Sequence, residues 1–139
     1  MSVQVSVQAE PLDLSALLAS VQAPSLGGIA VFLGTVRDHH AGRAVVRLEY
    51  EAYPAMAEAE MRKIAEDAKA RFGVARIALA HRTGRLEVGE VSVAVAVGSA
   101  HRKEALEACR FLIDTLKRTA PIWKRELYED GAAWIEGEG

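Results

Sequence analysis

Between residues 90 and 121 the chain states its architecture most plainly. Val91, Val93, Val95 and Val97 alternate with Ser92, Ala94 and Ala96, the period-two pattern of a strand. After Gly98 and Ser99 the period changes. Ala105, Cys109, Leu112, Ile113 and Leu116 fall on one stripe of a helix predicted over 101–118. Pro121 stops it, because proline has no amide hydrogen and disfavours helical geometry in the residue before it. A strand running into a helix with one apolar face needs a sheet with that helix layered on it.

The rest of the chain follows the same grammar. Val3, Val5 and Val7 alternate as in a half-buried strand, and Asp13 caps a short helix carrying Leu14, Leu17, Leu18 and Val21, closed by Gly27 and Gly28. Residues 29–36 read as a buried strand, 37–43 as a mobile polar loop and 45–53 as the returning strand, which predicts a hairpin with a long basic tip. Pro54 suits a first helical turn, and Met61, Ile64, Ala65, Ala68 and Phe72 share one face of a helix over 55–72 that Gly73 ends. Strands follow at 75–81 and 90–98 around a glycine-punctuated segment, 83–89, and short strands at 122–128 and 133–135 finish the chain. The expected fold is one α+β domain over 1–139, with helices packed on a largely antiparallel sheet.

Composition decides the class. Half of the 139 residues are hydrophobic, a quarter are charged and four are proline, which excludes disordered, collagenous and disulfide-stapled chains. No apolar run exceeds five residues, against the ~20 needed to span a bilayer, and no cationic segment precedes an apolar stretch at the start. A cytoplasmic protein with no membrane association is expected. The lone Cys109 excludes an internal disulfide and any paired-cysteine site, fits a reducing compartment, and leaves sulfur chemistry to sulfur brought from outside.

The net charge of −2 conceals an asymmetry. Residues 101–125 hold seven cations against three acids, so this stretch is +4 and the remainder −6. A local anion pocket in an otherwise acidic protein fits that distribution; a nucleic-acid binder does not, since the basic stretch is short and lacks interleaved stacking aromatics.

Three places carry chemistry. At the junction from Gly98 to Lys103, free amide groups of a helix start meet His101, Arg102 and Lys103, which together suit a phosphate; equally, Arg102 and Lys103 pair with Glu104 and Glu107 on a solvated face, and His101 is a structural cap. Lys117 lies four residues after Ile113 and so borders the buried stripe. It either snorkels into water or presents a partly desolvated amine, near Arg118, Lys124 and Arg102, as base, nucleophile or charge clamp. In the segment after Pro121, a strand puts Ile122, Lys124 and Glu126 on one side and Trp123, Arg125 and Leu127 on the other, so Lys124 returns toward Lys117; the alternative is an edge strand guarded by charge. Arg37, His39, His40 and Arg43 form a lid or a solvated loop. The adjacent histidines lack the third ligand and the spacing of a zinc site, so no metal and no cofactor is expected.

These residues resemble a family. Gly84-x-Leu86-x-x-Gly89-Glu90, the alternating valines, Ser99-Ala100-His101-Arg102, Leu116-Lys117 and Ala120-Pro121-Ile122-Trp123-Lys124-Arg125-Glu126 are similar to the large catalytic subunit of molybdopterin synthase, as are Gly34-Thr35-Val36-Arg37 and Glu51-x-Tyr53-Pro54-x-Met56. The resemblance covers residues 28 to 136. It implies an α/β hammerhead fold and a homodimer at the centre of a heterotetramer. A small ubiquitin-like sulfur-carrier subunit docks at each end, and its C-terminal Gly-Gly thiocarboxylate enters the large subunit's pocket. Two sulfurs, one per carrier, pass to cyclic pyranopterin monophosphate and make the dithiolene of molybdopterin.

By motif, the resemblance gives His101 and Arg102 the phosphate or pterin, closes Arg37 from the loop, and sets Thr35 and Val36 on the rim. It places Lys117 beside the thiocarboxylate and has Lys124, with Arg125 and Glu126, orient the pterin. Members of the family often extend further and send a basic residue into the neighbouring subunit's pocket. Here the last residues include Glu136 and Glu138, so a cross-subunit cation is expected to come from elsewhere or to be absent. Two other readings use the same residues: a lysine Schiff-base enzyme acting on a phosphorylated carbonyl compound, and a phosphate-ligand module in which the lysines only bind.

Overall fold

The computed structural model describes residues 2–129 and 131–135. In chain order the elements are β1 (Val3–Gln8), α1 (Leu14–Ser20), β2 (Gly28–Thr35), β3 (His39–His40), β4 (Arg43–Ala52), α2 (Pro54–Phe72), β5 (Arg76–Arg82), β6 (Gly84–Glu87), β7 (Val91–Ser99), α3 (Arg102–Thr119), β8 (Ile122–Tyr128) and β9 (Gly131–Ile135). The fold is α+β and rich in antiparallel pairing, as expected. Its strands, however, make two sheets.

The first sheet has the order β1-β5-β7-β2, with β1 parallel to β5 and the other neighbours antiparallel. The alternating valines set its layering. Val93, Val95 and Val97 join Ile77 and Leu79 under α2 and α3, where Met61, Ile64, Ala65, Ala108 and Leu112 complete the main core. Fully burying a side chain the size of Leu112 contributes about 1.5–3 kcal/mol, so this face dominates the stability of the fold. On the opposite face Ala78 and Ala96 leave room for Leu17 and Val21 of the short α1 unit. Asp13 caps α1 through a 3.0 Å bond from the Ala16 amide. Gly98 has a packing reason: a Cβ there would run into the Val21 carbonyl.

The second sheet carries β3-β4-β8-β9, with β6 also paired to β4. Its core consists of Val36, Val45, Leu48, Tyr50, Leu86 and Tyr128. Two local expectations change here. Residues 29–36 and 45–53 do not form a hairpin: β2 pairs along β7, from Gly28↔Ser99 to Thr35↔Val91, while β4 enters the other sheet. The loop between them is thus a crossover, and it includes the two-residue strand β3. The glycine-punctuated segment also holds a strand, β6, whose Leu86 is fully buried between turns at Gly84 (φ 83°) and Gly89 (φ 91°).

Pro121 produces the decisive turn. Ala120 leaves α3 in an extended conformation, and β8 runs back antiparallel to β4, with Tyr50↔Lys124 and Leu48↔Glu126 in register. No described helix is long and apolar enough to cross a membrane.

Candidate active site

Where the two sheets and the end of α3 meet, a cleft of about 380 Å³ opens. A register shift between Gly34 and Thr35, near the end of the β2 ladder, delivers Thr35 and Arg37 to it. Helical spacing brings Ile113, Asp114 and Lys117 from α3, and strand alternation brings Lys124 and Glu126 from β8 and Leu48 and Tyr50 from β4. A second cavity of about 250 Å³ shares Tyr50, Lys117 and Lys124 with the first. It adds His81, Arg118, Ile122 and Trp123. The two lysines therefore stand at a partition reached from both sides.

Electrostatics single out this partition. Lys124 titrates below the ordinary lysine range, first because it is half-buried, then because Lys117 and Arg37 repel its charge, with Glu126 opposing them. Glu126 is 3% exposed and accepts a 2.6 Å bond from the Tyr128 hydroxyl. Burial holds the Tyr50 phenol well protonated, partly offset by a hydrogen bond with Ser92. On the loop side, an Arg37 guanidinium nitrogen lies 3.1 Å from His40 Nδ1, and His40 Nδ1 lies 3.9 Å from Glu126. The rim arginine is thus tied back toward β8.

Of the residues singled out by sequence, Thr35, Arg37, Lys117, Lys124 and Glu126 line the cleft together. Val36 does not; it is buried in the second sheet's core. Arg125 sits outside the lining, where it pairs with Glu49 across β4 at 3.2 Å. His101 and Arg102 are exposed at the start of α3, beside Gly28. Fifteen residues of helix put Arg102 about 22 Å from Lys117 along the axis, so one chain does not bring them together. Glu136 and Glu138 lie outside the described residues. Cys109 is buried in the main core, and burial pushes its thiol up to about 11, which makes it a packing residue.

Sequence reasoning missed Tyr50, Ser92, Asp114 and His81. Tyr50 had a signal, since it shares the face of Leu48 and opposes Lys124, but only the pairing of β4 with β8 turns that into a site. The second cavity also adjoins an exposed aromatic surface. Tyr53 and Trp123 meet edge to face at 5.5 Å, and Trp134 completes a shallow groove of about 310 Å³ with them.

Known proteins are similar to this chain in sequence and in arrangement. A family model described as MoaE protein matches residues 7–119. A molybdopterin synthase catalytic subunit of Pyrococcus abyssi is 45% identical over 129 residues, 93% of this chain and 87% of that protein. The human molybdopterin synthase catalytic subunit is 45% identical over 130 residues, 94% of this chain and 69% of that one. Among solved structures, molybdopterin synthase from Staphylococcus aureus superposes with a TM-score of 0.90 at 33% identity, covering 94% of this chain and 95% of that chain. A complex of subunits 1 and 2 of molybdopterin-converting factor from Helicobacter pylori gives 0.74 at 28% identity, covering 97% and 90%.

Proposed function

Because the chain belongs to the MoaE protein family, we propose that it is the catalytic subunit of a molybdopterin synthase, moving sulfur from the C-terminal thiocarboxylate of a small ubiquitin-like carrier to cyclic pyranopterin monophosphate. One observation carries the reading: Lys117 and Lys124 stand where two cavities meet. Sulfur transfer between a small molecule and a protein tail needs such an arrangement, with a separate approach for each reactant.

The cleft with Arg37 and Thr35 takes the phosphorylated pterin. Through the second cavity, past Trp123, comes the carrier's flexible end, with the carrier body over the aromatic surface of Tyr53, Trp123 and Trp134. The tail is an extended, anionic segment, and the Lys117 ammonium meets its thiocarboxylate. Each transfer forms one carbon–sulfur bond on the pterin side chain in place of a carbon–oxygen bond, whose oxygen leaves as water or with the phosphate. It also breaks the carrier's acyl–sulfur bond, with a second water supplying the oxygen of the released carboxylate. Lys124, with its depressed proton affinity, is the group best able to exchange a proton during this step. Glu126, on the same face of β8, attracts the charge of that lysine and so favours its protonated form. A reducing cytoplasm, in keeping with the single buried cysteine, preserves the thiocarboxylate.

His101 and Arg102 join the site through a second copy. β2 is the outer strand of its sheet, and Ile29, Val31 and Leu33 lie exposed on one face of it. An edge of this kind is a template for strand pairing. Antiparallel pairing of β2 with β2 about a twofold axis at Val31 sets Ile29 against Leu33 of the second copy, and Gly28 against Gly34. Gly28 abuts Arg102 and Gly34 lines the cleft. The pairing thus carries His101 and Arg102 of each copy to the other copy's cleft, where their charge suits the substrate phosphate.

The test is reconstitution from purified chain, thiocarboxylated carrier and cyclic pyranopterin monophosphate. Lys117→Ala and Lys124→Ala are each expected to lower molybdopterin formation by about 10²–10³-fold, the usual cost of removing a preorganised charge. Near-normal formation by Lys117→Ala overturns the assignment. Borohydride trapping of a substrate aldehyde, with turnover independent of the carrier, would support a Schiff-base enzyme instead.

A further inference from the structure

One buried titratable side chain at this partition has no task in the reaction so far. His81, on β5, is 3% exposed, and Tyr50 packs against its ring edge to face at 4.8 Å. Its Nδ1 lies 2.7 Å from the Arg82 carbonyl oxygen. A carbonyl only accepts, so Nδ1 carries the proton, and in the neutral ring Nε2 keeps the lone pair. The titratable and charged groups that share the second cavity with the ring are Tyr50 from β4, Lys117 and Arg118 from α3, and Lys124 from β8. Burial pushes the imidazole down to about 4 and the nearby Lys117 charge works in the same direction, so the ring is neutral at physiological pH.

We propose that His81 is a positioning residue: its ring, anchored through Nδ1, presents Nε2 as the acceptor that holds the Lys117 ammonium at the partition between the two cavities. The chemistry favours an imidazole for this task. A carboxylate in its place would hold the amine more strongly but cancel its charge, so an anionic tail and a phosphorylated pterin would meet a neutral pair. A neutral ring adds a hydrogen bond to the ammonium and subtracts no charge from the cavity. The edge-on Tyr50 ring and the backbone bond fix the imidazole plane, so the acceptor is preorganised. The consequence for turnover rests on the synthase reading; the placement of the amine does not.

Measurements on the full chain separate the two. ¹⁵N NMR of histidine-labelled protein is expected to show His81 as the Nδ1-protonated tautomer, unchanged from about pH 5.5 to about pH 8; an Nε2-protonated ring, or titration in that range, overturns the proposal. Competitive labelling with trace acetic anhydride, read on the Lys117 peptide relative to Lys103, reports the amine itself. Loss of an acceptor lowers the ammonium's proton affinity, so His81→Leu should raise Lys117 labelling about tenfold, whereas His81→Gln, which keeps an acceptor, should stay within about twofold of wild type. Equal labelling of Lys117 in wild type and His81→Leu overturns the proposal. In reconstitution, His81→Leu should lower kcat about tenfold with the KM for the pterin changed less than about twofold. Wild-type protein that makes no product with carrier present overturns the synthase reading, while labelling still decides the role of His81.

Discussion

His81 makes the stability of this protein depend on pH in a direction that its burial dictates. In the unfolded chain the imidazole titrates near its ordinary value of 6.5; in the fold its value is about 4. The unfolded state therefore binds a proton that the native state refuses between these limits. Stability is fully present above pH ~6.5, falls as pH decreases through that window, and the loss is complete below pH ~4, for a total on the order of 3 kcal/mol. Urea unfolding of wild type at pH 7 and pH 5 is expected to show more than half of this loss, about 2 kcal/mol, and His81→Phe should be flatter over the same range. Equal slopes would mean that the ring is not buried neutral. At the same scale, Lys117 and Lys124 were legible in the sequence and His81 was not. Helical and strand periods report the side to which a lysine points, but a histidine in an apolar stretch such as residues 77–81 carries no mark of which cavity its ring will border. That depends on the end of α3 and β5 facing one cavity, which is a tertiary fact.

At the scale of elements, periodicity located the strands and helices but not their partners. The β2 strand was evident from its apolar run, yet the strands that follow it in sequence, β3 and β4, belong to a different sheet. The preference for β7 comes from matched alternation and from α3 crossing over both strands, neither of which a local window contains. β6 was missed because four residues with a single buried leucine give almost no period to read. Glycines gave better guidance. Gly98→Ala would push a methyl group into the Val21 carbonyl, a backbone atom that cannot rotate away. The expected cost is about 1–3 kcal/mol, visible as a lower urea midpoint with unchanged slope. The exposed face of β2 gives a second expectation. Val31→Lys would set two ammonium groups against each other across the twofold axis, so sedimentation equilibrium should find monomer for the variant and dimer for wild type, with each chain still folded. A dimeric variant would remove β2 from the interface.

For the whole molecule, the separation between Arg102 and Lys117 makes a claim that neither residue makes alone. If each cleft takes its lysines from one chain and His101 and Arg102 from the other, two differently damaged chains can repair each other. Lys117→Ala protein and Arg102→Ala protein, each weakly active by itself, are unfolded together at equal concentration and refolded so that chains reassort. Half of the dimers are then mixed, and in each mixed dimer one cleft carries both lesions while the other carries neither. Recovery of about one quarter of wild-type activity is expected from random pairing. Were Arg102 to serve its own chain's cleft, every cleft in the mixture would keep one lesion and activity would stay at the average of the two parents. The same mixture made with Lys117→Ala and Lys124→Ala is the control: both lysines line one cleft of one chain, so reassortment should restore nothing. The outcome thus reports which residues share a polypeptide within a site, and it connects the strand edge at Val31 to the chemistry at Lys117 without requiring a structure of the assembled dimer.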